Sequence, residues 1–223
     1  IRLPGCFECY RPPGGAPAVT PLPAAVNGYV TFGSFNNIAK VTTPVVGMWS
    51  KILVAVPGAR LLLKDKSLTD SAQQARYRAV FAKHGVGAER IELIPRAANH
   101  AEHLALYGRV DIGLDPFPYN GNTTTCEALW MGVPVITLAG GMSYGRYGVS
   151  LLSNLGLEGL IATTPEAYVA KAVELAKDQG RLAGLRAGLR AQMAASPLCD
   201  ANAFAREVEQ AYRLMWRRWC QQP

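Results

Sequence analysis

From Gly28 onward, short apolar runs alternate with longer stretches of helical spacing. Tyr29-Val-Thr-Phe-Gly33 is rich in β-branched and aromatic residues and predicts a first strand. Pro44 to Val56 repeats apolar residues at helical intervals (Val45, Met48, Trp49, Ile52, Leu53, Val56), with its proline where a first turn tolerates one. Strands follow at Arg60–Lys64, Ile91–Ile94, Val110–Leu114 and Val133–Leu138, and a last short one at Leu160–Ala162. Between them lie helical segments at about Thr69–His84, His100–Tyr107, Thr124–Met131 and Val149–Leu155. Beyond Pro165 the pattern is helical throughout: Pro165–Lys177, Arg181–Ala194 and Ala203–Trp219. Strands separated by helices predict βαβ crossovers. The fold class is therefore α/β, a Rossmann-like parallel sheet with helices on both faces and C-terminal helices added. Three segments result: a proline- and glycine-rich linker or crossing arm over 1–27, a Rossmann-like lobe over 28–180, and a helical extension over 181–223.

Composition narrows the function. Of the 223 residues, 49% are hydrophobic and 17% charged, enough apolar material for a real core and too little charge for a disordered tail. The net charge of +7 is spread out. It does not call for nucleic acid as a partner, but it favours an anionic ligand. No run approaches the ~18 apolar residues of a membrane span, and no charged-then-apolar leader opens the sequence. Five scattered cysteines, at 6, 9, 126, 199 and 220, do not make a disulfide framework and point to a reducing, cytoplasmic compartment. The single CxxC, Cys6 to Cys9, has no second pair to complete a zinc site, so no metal is expected.

In open α/β sheets ligands bind outside the carboxyl ends of the strands, so the loops after the strands carry the candidate chemistry. After strand one, Gly33-Ser-Phe-Asn-Asn-Ile-Ala-Lys40 offers small and amide residues with a lysine able to neutralise a phosphate; it is equally an Asx-type turn with a solvated lysine. After strand four, Asp115-Pro-Phe-Pro-Tyr-Asn-Gly-Asn-Thr-Thr-Thr-Cys-Glu127 opens a helix with three threonines. Free amides and hydroxyls there suit a diphosphate, while Thr124 and Glu127 also have the spacing of a capping box. His100 and His103 share one helical face. Asp111 and Asp115 lie four apart and are expected on one side of their strand, without assignable acid and base roles. Arg146, in a glycine-rich loop after strand five, is either an anion contact or solvated.

Taken together, Phe32-Gly-Ser-Phe-Asn-Asn-Ile-Ala-Lys40, the Asp115 to Val135 segment, Gly148-Val-Ser-Leu-Leu152, Ser196-Pro-Leu-Cys199 and Ala211-Tyr-Arg-Leu-Met-Trp216 resemble the C-terminal catalytic lobe of the O-GlcNAc transferase and SPINDLY family. The wording Thr-Thr-Thr-Cys-Glu is nearer to SPINDLY and its bacterial relatives. The resemblance implies a GT-B fold and a metal-independent, inverting transfer of sugar from a nucleotide sugar, UDP-GlcNAc or GDP-fucose, to protein Ser/Thr. It implies that Lys40 stabilises the leaving diphosphate and that Asn37 touches the donor. His103 would pack on the base, the backbone near Ala98 would read its edge, Asn122, Thr123 and Thr124 would flank the phosphates, and Glu127 would hold the ribose. Asn122 stands where O-GlcNAc transferases carry a histidine, Glu127 where the animal enzymes carry an aspartate, and Leu106 where they carry a base-contacting arginine. The family also has an N-terminal catalytic lobe and tetratricopeptide repeats, absent from this sequence. The competing class is a non-catalytic nucleotide-binding or scaffold module.

Overall fold

A computed structural model describes residues 3–221. It begins with an irregular arm that lies against the rest of the chain: Tyr10 N–H donates to the Leu198 carbonyl at 2.7 Å, and the Phe7 ring stacks on Tyr147 with centroids 5.0 Å apart. Inside this stretch, expected to be without regular structure, is one short helix, α1 (Pro23–Asn27). Its start and stop are a proline in the first turn and Gly28 at φ 75, and five residues are too few to show a period.

The core then runs β1 (Thr31–Ser34), α2 (Thr43–Ala55), β2 (Arg60–Lys64), α3 (Ser71–Ala82), β3 (Ile91–Ile94), α4 (His100–Ala105), β4 (Ile112–Leu114), α5 (Thr123–Trp130), β5 (Val135–Leu138), α6 (Tyr147–Ser153) and β6 (Ile161–Ala162). Three helices close the chain: α7 (Pro165–Lys177), α8 (Gln179–Ala194) and α9 (Ala201–Cys220). Every expected strand exists, β2 and β3 with the expected bounds and the other four with shifted edges. β1 starts two residues later than expected, because Gly28 ends α1 in the left-handed region and the chain must leave it before pairing. The helix expected from Thr69 begins at Ser71, because the Asp70 side chain accepts from Ala72 N–H and so sets the N-cap.

All six strands are parallel, in the order β3-β2-β1-β4-β5-β6. Phe32 is paired with Leu61 on one side and Ile112 on the other, so β1 and β4 lie side by side although α2, β2, α3, β3 and α4 separate them in sequence. That is the topological switch point, where the helices leaving the two strands diverge and open a crevice. The strands are nearly continuous apolar runs because helices cover both faces. Trp49 of α2, fully buried, donates from Nε1 to the Tyr168 hydroxyl of α7 at 3.1 Å. Tyr168 in turn donates to the Asp115 carbonyl at the end of β4, at 2.9 Å. This relay joins two helices to the sheet edge of the crevice.

Helix α8 is tied to the lobe by Arg186, only 2% exposed. Its guanidinium donates to the Thr20 carbonyl and hydroxyl at 2.7 and 2.8 Å and to the Val110 carbonyl at 2.7 Å. It thereby joins α8, the arm and the start of β4. Helix α9 has no buried residue and exposes Tyr212, Leu214, Met215, Trp216 and Trp219. Among the described residues, no helix is long and apolar enough to cross a membrane.

Arg186→Met keeps the bulk but strands three acceptors in the interior. It is expected to lower unfolding free energy by about 3 kcal/mol in urea titration, and an unchanged midpoint would show that Arg186 does not join these elements.

Candidate functional site

The crevice is built from the loops leaving β1 and β4. After β1 the chain makes a 3-10 turn, Ile38–Lys40, whose cap is the Asn37 side chain accepting from Ala39 N–H at 3.0 Å. Asn37 therefore turns back on its own backbone, as the Asx-turn reading had it. The lysine is not solvated as that reading expected. Lys40 Nζ is half-buried, donates to the Asn120 carbonyl at 2.9 Å, and lies 4.3 Å from the centre of the Tyr119 ring. Burial lowers the Lys40 pKa, and the nearby Asp115 charge opposes that shift.

Asp115 sets the shape of the opposite loop. It is buried, and its carboxylate accepts from Gly121 N–H and from the Thr137 hydroxyl, both at 2.6 Å. Gly148 makes room for it, since a Cβ there would stand 2.8 Å from Asp115 Oδ2. Burial pushes the Asp115 carboxyl up to about 7, against the opposing pull of its two hydrogen bonds and of Lys40. Asp111 has a different role at the other end of β4: it accepts from Ala24 and Thr31 N–H, at 2.9 and 2.7 Å. The two aspartates thus pin opposite ends of one strand and do not share a site.

Helix α5 begins where the Asp115 loop ends. Its N-cap, Asn122, makes no side-chain cap bond, and the amides of Thr125 and Cys126 are the first to bond back, both to the Asn122 carbonyl. The preceding amides, of Thr123 and Thr124, have no partner within the helix and face the crevice end. The capping box suggested by spacing is not formed. Thr124 reaches across to Asn36, donating to Oδ1 at 3.0 Å, and Glu127 points toward α4. There Glu127 Oε1 and Oε2 accept from His100 Nε2 at 3.1 Å and His103 Nε2 at 2.9 Å. Burial raises the Glu127 pKa, but the two histidine hydrogen bonds outweigh it and the net shift is downward. An ionised carboxylate only accepts, so both rings carry their proton on Nε2. Oε1 keeps a lone pair for a further donor, while Oε2 is also 3.5 Å from the Tyr107 hydroxyl.

His103 lies 5.8 Å from Phe35 and 5.6 Å from Tyr107, centroid to centroid, with its Nδ1 buried and unpartnered. Beside it a cavity of about 220 Å³ is lined by Lys64, Arg96, Ala98, Asn99, His100 and His103. Ala98 is exposed there, but its N–H donates to Glu102 at 3.1 Å, so any base read by that amide must displace Glu102. A larger cavity, about 850 Å³, opens between α2 and α7; its walls are mostly aliphatic and share no residue with the strand-end crevice. Arg146 is exposed and donates to the Gly140 carbonyl of its own loop at 3.3 Å. Among the described residues, no group of three or more His, Cys, Asp or Glu is placed to hold a metal ion.

Lys40, Asn122, Thr123, Thr124, Glu127 and His103 thus gather around one crevice, with Ala98 at its rim and Asn37 turned aside. Asn36, Tyr119 and Lys64 belong to the same place and were not singled out from sequence, whereas Asp115 was, without a role. The only cue to Asn36 was its position one residue from Asn37.

Residues 22–208 match glycosyl transferase family 41. The chain belongs to that family. It is 46% identical over 220 residues to the probable UDP-N-acetylglucosamine–peptide N-acetylglucosaminyltransferase SPINDLY of Solanum lycopersicum and 45% to that of Arabidopsis thaliana, covering 99% of this chain and 24% of each relative. A solved structure of a Thermobaculum terrenum O-GlcNAc transferase mutant superposes with a TM-score of 0.88 at 39% identity, over 99% of this chain and 42% of the other. The chain therefore spans about a quarter of the length of its curated relatives. The lobe has the α/β architecture that membership of family 41 implies, the C-terminal half of a GT-B glycosyltransferase.

The Asp115 shift has a measurable sign. Its folded-state pKa, about 7, lies above the ordinary 3.8, so the folded chain holds this proton more tightly than the unfolded chain. The stabilisation is complete below about pH 4 and is lost as pH rises toward 7. Asp115→Asn, whose amide can still accept from Gly121 and donate to Thr137, is expected to flatten that part of the stability–pH curve; a slope that persists would assign it to another group.

Proposed function

We propose that this chain is the donor-binding half of a metal-independent, inverting glycosyltransferase that moves a sugar from UDP-GlcNAc or GDP-fucose to Ser or Thr of a protein. The observation that carries the reading is the convergence of the Lys40 ammonium and the first turn of α5 on one crevice at the β1/β4 switch point. A nucleoside diphosphate placed there meets a cation and a helix N-terminus, the pairing that suits an anion.

The chemistry follows from that placement. The acceptor hydroxyl forms a new bond to the anomeric carbon as the bond from that carbon to the diphosphate oxygen breaks; the electron pair leaves with the diphosphate, and the hydroxyl proton passes to a base supplied by the rest of the protein. Negative charge grows on the departing oxygens. Lys40 and the Thr123 and Thr124 amides stabilise that charge more in the transition state than in the ground state, which is what lowers a barrier. Lys40 gives up its bond to the Asn120 carbonyl in exchange. The base occupies the cavity beside His103, under Lys64 and Arg96, and Glu127 accepts from the ribose hydroxyls while its histidines hold it still.

The rest of the protein supplies the second catalytic lobe, tetratricopeptide repeats and the groove for the acceptor. The free thiols of Cys6, Cys9, Cys126, Cys199 and Cys220 support a cytoplasmic setting. In the protein at its full natural length, Lys40→Ala is expected to cut sugar transfer by about 10²-fold or more, with the melting temperature held. Turnover within a few-fold of wild type would remove Lys40 from the mechanism.

A further inference from the structure

The glycine-rich loop after β5 (140–148) has no role in the reading above, yet it packs on the loop that receives Lys40. Asn120 N–H donates to the Tyr144 carbonyl at 2.9 Å. Gly145 comes so near the Asp115 loop that a Cβ there would stand 2.8 Å from the Pro118 carbonyl oxygen, closer than a side chain tolerates. Gly140 N–H donates to the Gly145 carbonyl at 2.7 Å, which closes the loop on itself. Here glycine serves the close approach of two loops.

That approach fixes one ring. Tyr119 stacks on Tyr144, with centroids 5.3 Å and planes 11° apart, and Tyr147 at the start of α6 meets it edge-on at 6.3 Å. Tyr147 stacks in turn on Phe7 of the arm at 5.0 Å. Tyr119 is nonetheless 46% exposed, so burial does not explain its placement. What it meets is Lys40, whose Nζ lies over the ring, 4.3 Å from its centre. A cation over a tyrosine face is attracted by the ring quadrupole, and more strongly where water is partly excluded.

The next residue supplies a second hold. The Asn120 carbonyl accepts from Lys40 Nζ at 2.9 Å and so takes one of the three N–H groups of the ammonium. A phosphate affects the two contacts differently. The hydrogen bond to the carbonyl is exchanged for one to a phosphate oxygen. The ring requires no particular N–H and keeps its attraction while the ammonium turns. A lysine has a long flexible stem, and ordering it is part of the cost of binding; a lysine already held over a ring has lost much of that freedom beforehand.

We infer that Tyr119, braced by Tyr144 and Tyr147, is a positioning residue: its ring holds the Lys40 ammonium in the crevice for the diphosphate, and the Asn120 carbonyl is the contact given up. The inference rests on the donor-site reading above and adds to it what aims the lysine.

The test is calorimetric titration of the protein at its full natural length with UDP and with GDP, continued for the variants with whichever diphosphate binds wild type more tightly. The variants are Tyr119→Leu, Tyr119→Phe, Lys40→Ala and the double Tyr119→Leu/Lys40→Ala, a cycle that separates a contact with Lys40 from a general effect on the loop. Tyr119→Leu should raise the Kd about fivefold when Lys40 is present and by less than about twofold when it is gone. Tyr119→Phe, which keeps the ring, should stay within about twofold of wild type. Equal weakening in both backgrounds would make Tyr119 a support for the loop and overturn the inference. So would a Tyr119→Phe protein as weak as Tyr119→Leu, a Tyr119→Leu protein that binds as wild type does, or one that binds more tightly because the ring had competed for the lysine. A wild-type protein that binds neither diphosphate, or a Lys40→Ala protein that binds as well as wild type, would overturn the donor-site reading and this inference with it.

Discussion

The site depends on a buried carboxylate. Asp115 ends β4 inside the protein, where an unpaired charge is costly, and two short hydrogen bonds from Gly121 and Thr137 make it tolerable. The bond to Gly121 folds the chain back over itself within six residues. That turn presents the Asn120 carbonyl to Lys40 and delivers the chain to the start of α5 at the mouth of the crevice. The Trp49–Tyr168 relay reaches the same residue through its backbone carbonyl. Scaffold and chemistry therefore meet at one residue, whose own side chain is spent on Gly121 and Thr137.

The electrostatics divide the crevice. Toward β1 and α5 lie a lysine and free amides, suited to an anion. Toward α4 lies Glu127, ionised and gripped by two histidines, suited to hydroxyl donors. A nucleoside diphosphate has this polarity along its length: phosphates, then ribose, then base. Tyr107, buried against the same carboxylate, is its third contact, with the hydroxyl 3.5 Å from Oε2.

Much of this was legible in the residues. The six strands are short, apolar and separated by helical periods, so the parallel sheet and the importance of its strand-end loops followed directly. Lys40 and the threonines were singled out because an anion would demand such groups at such loops. What escaped detection had physical reasons. Asn36 and Asn37 are identical neighbours, and only the direction of the backbone after β1 decides that Asn36 faces Thr124 while Asn37 caps its own turn. The spacing of Thr124 and Glu127 suggested a local cap, but two histidines more than twenty residues away outcompeted it for the carboxylate.

The central claim is that the β1/β4 crevice receives the diphosphate of a nucleotide. A structure of the protein with UDP or GDP bound tests it most directly. The claim predicts a phosphate oxygen within hydrogen-bonding distance of Lys40 Nζ, in place of the Asn120 carbonyl, with the other phosphate on the Thr123 and Thr124 amides and the ribose on Glu127. A nucleotide bound elsewhere, with Lys40 still on Asn120, would contradict it.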